Sequence, residues 1–542
     1  MNGGAACVGG VCDVRCNEGW TPSGADCVPL PAPRPRSPIS TIFTSSAQPL
    51  LRWILPAGVS TALVSICADR ACTRDVREYT VTGSELRPTA ALARGTWFWR
   101  LRSTAGGVAS TASSPTWQFT VVGSASREAR WHGLPDLNGD GRAELIVGAP
   151  TADGGSGRVL IYDGNDLSSP RWTLMPPAES PGYFGGNVSV VGDVDGDGFP
   201  ELAVRAVGNA ESRGLVFVYR GSVAGPVADA PQIVRPNRGG ESFAEQIARA
   251  GDIDGDGLSD WIATSADSAA RTGAVEVFLG TMHGSSRRSN TPFEVSLAEY
   301  QFPRFIAAGD FDDDGFSDVL AGATYAAPRP DAAMSRPGVL ALARGAAHGI
   351  DVSAVRQTTG REFENGFALA GTVLGDLNDD GFLDILIGIP TPTETVAYLM
   401  AGSIRGYQFP AYGLYRRAAQ TTLLGGQLVA AGDLNLDGRP DWIREQIRDR
   451  FFPSDPPGRQ IITASAPGEN LIPAQDLMFP PGVVAAQADY TGDGVADLVI
   501  GDADADTVSI FAGRAGGPSA SPTRVIRAPA GGAGRFGASI AR

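Results

Sequence analysis

Short apolar runs, each stopped by glycine, proline or aspartate, recur along most of the chain. Between residues 40 and 122 they alternate at period two, at Leu51 and Trp53, from Leu63 to Ile66, at Trp97, Trp99 and Leu101, and at Trp117, Phe119 and Val121. Alternation sends every second side chain to one face, which predicts half-buried strands. Further on, a longer unit repeats. An apolar strand follows each acidic loop, as at Leu145, Ile146 and Val147, at Leu202 and Val204, at Ile385 and Ile387, and at Leu498 and Ile500. Another comes after a short connection, as at Val159 and Ile161, Val216 and Val218, Val275 and Val277, and Val508 and Ile510. With one strand ahead of the loop and a less regular one behind, the unit holds four strands. The fold class predicted is all-β, and no apolar run is long enough to span a membrane.

The acidic loop has the form Asp-x-(Asp/Asn/Thr)-x-Asp-Gly-x-x-(Asp/Glu) and occurs seven times at intervals of 56–66 residues. A period near 60 is too long for helical or leucine-rich solenoids and suits a four-stranded propeller blade. Calcium takes six to eight oxygens at about 2.3–2.6 Å, and side chains at positions one, three, five and nine, with the backbone carbonyl of position seven, supply such a set. In the first loop these are Asp136, Asn138, Asp140, Glu144 and the carbonyl of Arg142. In the second they are Asp193, Asp195, Asp197, Glu201 and Phe199; in the third, Asp252, Asp254, Asp256, Asp260 and Leu258. The fourth has Asp310, Asp312, Asp314, Asp318 and Phe316; the fifth, Asp376, Asn378, Asp380, Asp384 and Phe382. The sixth has Asp433, Asn435, Asp437, Asp441 and Arg439; the seventh, Asp489, Thr491, Asp493, Asp497 and Val495. Position six is always glycine, as a reversal at positive φ favours. Turn propensity accounts for single Asp, Asn and Gly residues, but not for the same classes at fixed positions in seven places. The expected cofactor is therefore Ca2+, up to seven ions, held more tightly by loops two to four, which carry four carboxylates each. Affinities of ~10⁻⁴–10⁻³ M suit extracellular modules of this kind, and magnesium, which demands a strict octahedron, fits less well.

These residues carry a family resemblance. Phe184 and Gly185 ahead of a loop, the loop itself, and Val147, Gly148, Ala149 and Pro150 behind one are similar to FG-GAP (VCBS-type) repeats, those of the seven-bladed propeller at the head of integrin α subunits. The resemblance covers roughly residues 123–542 and implies a seven-bladed ring; it carries no ligand identity. Repeat six departs from it, with Ile443, Arg444, Glu445 and Gln446 in place of the usual tail. Where repeats two, three and five have Phe184, Phe243 and Phe367 nine residues before the loop, repeat one has Arg127. The chain closes on Phe536 and Gly537, a signature with no loop after it, so the last strand is expected to complete the first blade.

Ahead of the repeats, residues 35–122 resemble a fibronectin type III or other immunoglobulin-like sandwich, with Cys67 and Cys72 placed to pair across a tight turn. Cys7, Cys12, Cys16 and Cys27 lie in a segment that resembles a fragment of an EGF-like module, and four cysteines allow three connectivities. A zinc site is the other reading, but only Cys12 and Cys16 are closely spaced. A proline-rich linker over 29–38 follows. The expected organisation is 1–34, cysteine-rich segment and linker; 35–122, sandwich; 123–542, propeller.

The net charge of −15 excludes an ordinary nucleic-acid binder, and seven divalent ions would bring the chain close to neutrality. All 44 basic residues are arginine, which excludes a P-loop or a Schiff-base lysine and fits a bacterium of high genomic G+C. His132, His283 and His348 are scattered without metal-ligand spacing. Some carbohydrate lyases and phospholipases carry similar propellers, yet the carboxylates here are committed to calcium, so no catalytic residue is assigned and a chain that is not an enzyme is expected. The function expected is a secreted or cell-surface recognition and adhesion module for an extracellular protein or polysaccharide; a structural spacer of a surface layer or matrix is the alternative. Residues 1–10 lack the basic and apolar regions of a secretory signal. Candidate ligand loops are 325–336 and 444–459, the latter with Arg448, Arg450, Phe451 and Phe452, since arginine beside aromatics favours binding hot spots.

Overall fold

The apolar strands 145–149 and 158–162 pair antiparallel, and outside them the short strand Ser539–Ile540 from the chain's end joins Leu145–Ala149. The computed structural model describes all residues except 1–2, 9–10, 24–25, 45, 122–134, 209–213, 237–242, 268–271, 283–286, 289–292, 295–299, 326–337, 360–369, 378–379, 381, 391–393, 408–411, 419–427, 436–440, 447–457, 463–477, 480–482, 530–533 and 542. Among the described residues, seven antiparallel sheets of four or five strands follow one another after residue 135. The second runs Phe184–Gly192, Glu201–Ala206, Leu215–Tyr219, Gln232–Val234 in sequence order, each strand beside the next. This up-and-down order repeats in the later sheets. The third carries both of its last two short strands, Arg287–Arg288 and Phe293–Glu294, on Thr272–Leu279.

The first strands form a ring. Phe184–Gly192 touches Ile247–Gly251, which touches Tyr300–Gly309, and the series continues through Ala370–Gly375, Leu428–Gly432 and Val483–Ala488. Val483–Ala488 touches Ser539–Ile540, which in turn touches Phe184–Gly192. The last strand thus supplies what the first repeat lacks, as the Phe536–Gly537 signature led one to expect. Phe536 is fully buried with its ring edge-on to Tyr162 at 6.4 Å. Strands buried on both faces explain their near-continuous apolar sequences: all five residues of Leu215–Tyr219 are buried. The core consists of clusters between neighbouring sheets, such as Val159, Leu174, Phe184, Val204 and Phe217 between the first and second.

Residues 34–121 form two packed sheets. One pairs Arg34–Ser37, Leu51–Ile54 and Glu85–Leu86; the other orders Ile42–Thr44, Trp117–Val121, Gly95–Ala105, Thr61–Cys67 and Arg77–Thr82. The strands lie where the alternation put them. Their inward residues Leu51, Trp53, Val64, Trp99, Trp117 and Phe119 make one core, with Trp99 and Trp117 edge to face at 5.9 Å. Cys67 is bonded to Cys72, and Cys16 to Cys27. The register of the first hairpin sets Cys7 opposite Cys12.

Candidate cation-binding loops

Each loop from the second to the seventh joins the first and second strands of its sheet, so all lie on one end of the ring. The first carboxylate organises the turn by accepting backbone N–H groups. Asp193 accepts from Gly196 at 2.6 Å and Gly198 at 3.0 Å; Asp252 accepts from Gly255 and Gly257 at 2.7 and 2.8 Å; Asp489 accepts from Gly492 and Gly494 at 2.6 and 2.7 Å. The fifth position accepts from the seventh, as in Phe199 N–H to Asp197 and Val495 N–H to Asp493, both 2.9 Å. Gly141, Gly198, Gly257, Gly315 and Gly494 at position six all have φ between 84° and 98°, the reversal for which glycine was expected.

Position nine has a second task that its sequence does not announce. In all seven loops its carboxylate accepts the N–H of position two, for example Val194 to Glu201 at 2.6 Å, Leu377 to Asp384 at 2.9 Å and Tyr490 to Asp497 at 2.7 Å. In loops three, four, five and seven its other oxygen takes the N–H of the glycine at the end of the third strand: Gly280 to Asp260 at 2.8 Å, Gly345 to Asp318 at 3.0 Å, Gly402 to Asp384 at 3.1 Å and Gly513 to Asp497 at 3.0 Å. This carboxylate pins the loop to its own sheet. The glycine is fixed by crowding, since a Cβ on Gly345 would lie 2.4 Å from the Ser317 carbonyl, and one on Gly513 would lie 2.0 Å from that of Ala496. Glycine recurring at the third strand's end was the available sequence signal.

The loops gather acidic oxygens. Ligand atoms of Asp136, Asp140 and Glu144, of Asp193, Asp195 and Asp197, of Asp252, Asp254 and Asp260, and of Asp310, Asp312 and Asp314 lie within 4.8 Å of one another in each group. Two carboxylates ~4 Å apart repel by ~4 kcal/mol at an effective dielectric of ~20, so each cluster calls for positive charge. Burial adds to the strain. It pushes the Glu144 carboxyl up to about 9, with the Asp136 charge next in importance, and the Asp136 and Asp197 carboxyls to about 6. Burial likewise raises Asp252 and Asp260 well above the carboxylate range, aided by Asp254 and Asp256. Glu201 Oε1 and Asp312 Oδ1 are buried with no hydrogen-bond partner. An orphaned carboxylate oxygen inside an all-oxygen donor set is what a hard divalent cation satisfies, and the residues fit such an ion.

The weaker positions behave differently. The Asn138 side-chain amide donates to Glu144 at 2.9 Å, and the Thr491 hydroxyl leans on Asp497 at 3.4 Å. Asn378, Asp437 and Arg439 lie outside the described residues, as do His132, His283, 326–337 and 447–457 with Arg448, Arg450, Phe451 and Phe452. His348 is described and exposed. Arginines that the motif did not reveal stand beside the loops, Arg220 at 3.5 Å from Asp195 and Arg344 at 3.1 Å from Asp312. The side chain at position seven has a packing role as well. The Phe199 ring abuts Gly139 of the first loop, the Phe316 ring abuts Gly255 of the third, and Arg142 of the first loop reaches Gly492 of the seventh.

A family model for the FG-GAP-like repeat matches residues 136–204. Integrin alpha-5 of Xenopus laevis is 35% identical over 141 residues, 23% of this chain and 13% of that protein. Integrin alpha-PS3 of Drosophila melanogaster is 36% identical over 140 residues, 23% of this chain and 12% of that protein. The matched segment thus spans about an eighth of these relatives. Among solved structures, rhamnogalacturonan lyase YesW is similar at a TM-score of 0.32, with 15% identity and 92% of each chain covered. Exotype rhamnogalacturonan lyase YesX is similar at 0.34, with 12% identity, covering 89% of this chain and 91% of its own. These lyases correct the expectation that the chain is not an enzyme. The exclusion leaned on carboxylates committed to calcium, whereas a bound cation is itself able to act as a Lewis acid. At such TM-scores the likeness assigns no activity to this chain. No helix among the described residues is long and apolar enough to cross a membrane. Residues 136–204 thus carry an FG-GAP-like repeat, set within a ring of antiparallel sheets of four or five strands.

Proposed function

We propose that this chain is an extracellular or surface-exposed recognition module whose acidic loops bind calcium and hold the propeller rim in shape. The observation that carries the reading is the convergence of three or more carboxylates in each of four loops, with Glu201 Oε1 and Asp312 Oδ1 buried and unpartnered. Calcium is favoured over magnesium because each loop offers a set of several protein oxygens, whereas magnesium keeps its waters and demands a strict octahedron. Disulfides at Cys16–Cys27 and Cys67–Cys72 suit an oxidising compartment, and the integrin relatives support a partner outside the cell, a protein or a polysaccharide.

Calorimetry of the full chain tests the cation: uptake of several equivalents at millimolar calcium is expected. An empty isotherm, with the same melting curve in chelator, would dispose of the reading. Ligand class is tested by a glycan array and by capture of candidate extracellular proteins, each in calcium and in chelator.

A further inference from the structure

Among the described residues the sandwich's hydrogen bonds fall on loops two, three and four, while its Phe43 joins the apolar cluster of the first and seventh sheets. The turn glycines Gly198, Gly257 and Gly315 of loops two, three and four face Phe98, Thr116 and Pro35 of the sandwich, whereas a Cβ on Gly141 or Gly494 of loops one and seven would meet nothing within 4 Å. What the sandwich grips is mainly loop backbone. Arg70 donates to the carbonyls of Gly196 at 3.1 Å and Gly257 at 3.2 Å, and the Ser40 hydroxyl donates to Gly257 at 2.8 Å. Arg34 and Arg36 donate to the carbonyls of Asp314 and Asp313, and Arg36 pairs with the Asp313 carboxylate at 2.8 Å. Asp313 is position four, outside the ligand pattern. From the propeller side, Arg249 donates to the Thr41 carbonyl and lies over the Phe43 ring.

We propose that the joint between sandwich and propeller is a calcium-dependent latch: cations in loops two to four order the carbonyls that the sandwich binds, and their loss releases it. This rests on the cation reading above. The geometry gives the reason. The carbonyls of positions four to six face outward only while the carboxylates of positions one, three and five are gathered inward. In the second loop four carboxylates make six repelling pairs; Arg70, 3.7 Å from Asp193, and Arg220, 3.5 Å from Asp195, offset the charges of two of them, while a divalent ion draws all four in. The coupling is therefore positive, and it is reciprocal: a seated sandwich raises calcium affinity at these loops.

The test uses the full chain with spin labels on exposed positions, Val76→Cys in the sandwich and Val223→Cys in the propeller, 44% and 80% exposed. In calcium a single narrow distance distribution is expected; in chelator it should broaden while the β circular-dichroism signal persists. Arg36→Ala with Arg70→Ala should broaden the distribution even in calcium, and Ser40→Ala, which removes a neutral donor to the Gly257 carbonyl, should lower calcium affinity at loop three by about fivefold or more. Loops one and seven should be unaffected. A distribution that stays narrow in chelator after calorimetry shows the calcium gone would overturn the latch and leave the cation reading standing. A narrow distribution in the arginine variant, or an unchanged isotherm in Ser40→Ala, would overturn it too. Absence of any calcium uptake would overturn both readings.

Discussion

The Ser539 hydroxyl donates to the carbonyl of Gly185 at 2.7 Å across 354 residues of sequence, tying the chain's last strand to the first strand of the second sheet. Beside it Phe536 fills the core between the first and seventh sheets. A chain lacking 536–542 would leave Leu145–Ala149 as an open edge and the ring unclosed. Phe536→Ala should cost about 3–5 kcal/mol, as for large aromatics removed from a packed core. Urea denaturation checks both variants, and a midpoint within error of the parent would reject the closing role.

Calcium removal should lower the melting temperature by several degrees, because the clusters of loops one to four would be left with their repulsion uncompensated. Asp254→Ala should remove one equivalent from the calorimetric isotherm and leave the fold intact, since the bond it accepts from Asp256 N–H, at 3.3 Å, is long and lies within its own loop. An isotherm with the parent stoichiometry would show that the third loop is not a site.

The glycines separate crowding from backbone strain. Gly513→Ala places a Cβ 2.0 Å from the Ala496 carbonyl, an overlap with rigid backbone that should cost about 1–3 kcal/mol. Gly494 has open space around it but φ of 90°, so Gly494→Ala should cost only about 1–2 kcal/mol, through the left-handed backbone. Thermal melts of the two variants in chelator give the order directly. A milder effect at Gly513 than at Gly494 would mean that the third-strand end relaxes away from its loop.

What was readable in the sequence was local and periodic. Asp193, Gly198 and Glu201 announce their loop because turn geometry fixes residue type at short spacing, and Leu215–Tyr219 announces its strand because both of its faces are buried. The closing strand was readable because Phe536–Gly537 repeats a signature seen elsewhere. Contacts between distant segments left no such mark. Arg34 meets the Asp314 carbonyl across 280 residues and Arg70 meets that of Gly196 across 126, and an arginine that binds carbonyls looks in sequence like any solvated one. Position nine was read as a ligand because its acidity fits one; its backbone partners Gly402 and Gly513 belong to another strand, so its stapling role became visible only in three dimensions.

That double role allows a separation of the cation from the fold. Asp384 accepts Leu377 N–H at 2.9 Å with one oxygen and Gly402 N–H at 3.1 Å with the other, and is fully buried. In Asp384→Asn one oxygen becomes an amide that must face a backbone donor, so a buried N–H is left unsatisfied at about 1–3 kcal/mol. That cost is independent of metal, and the variant should melt lower than the parent in chelator as well as in calcium. Asp380, exposed at position five, accepts from Phe382 N–H within its own loop at 3.0 Å. Asp380→Asn should melt no lower than the parent in chelator and fall behind it only when calcium is present. Melting curves of the two variants under both conditions decide the matter: if Asp384→Asn equalled the parent in chelator, position nine would be a ligand alone, and the loop would owe its attachment to the cation.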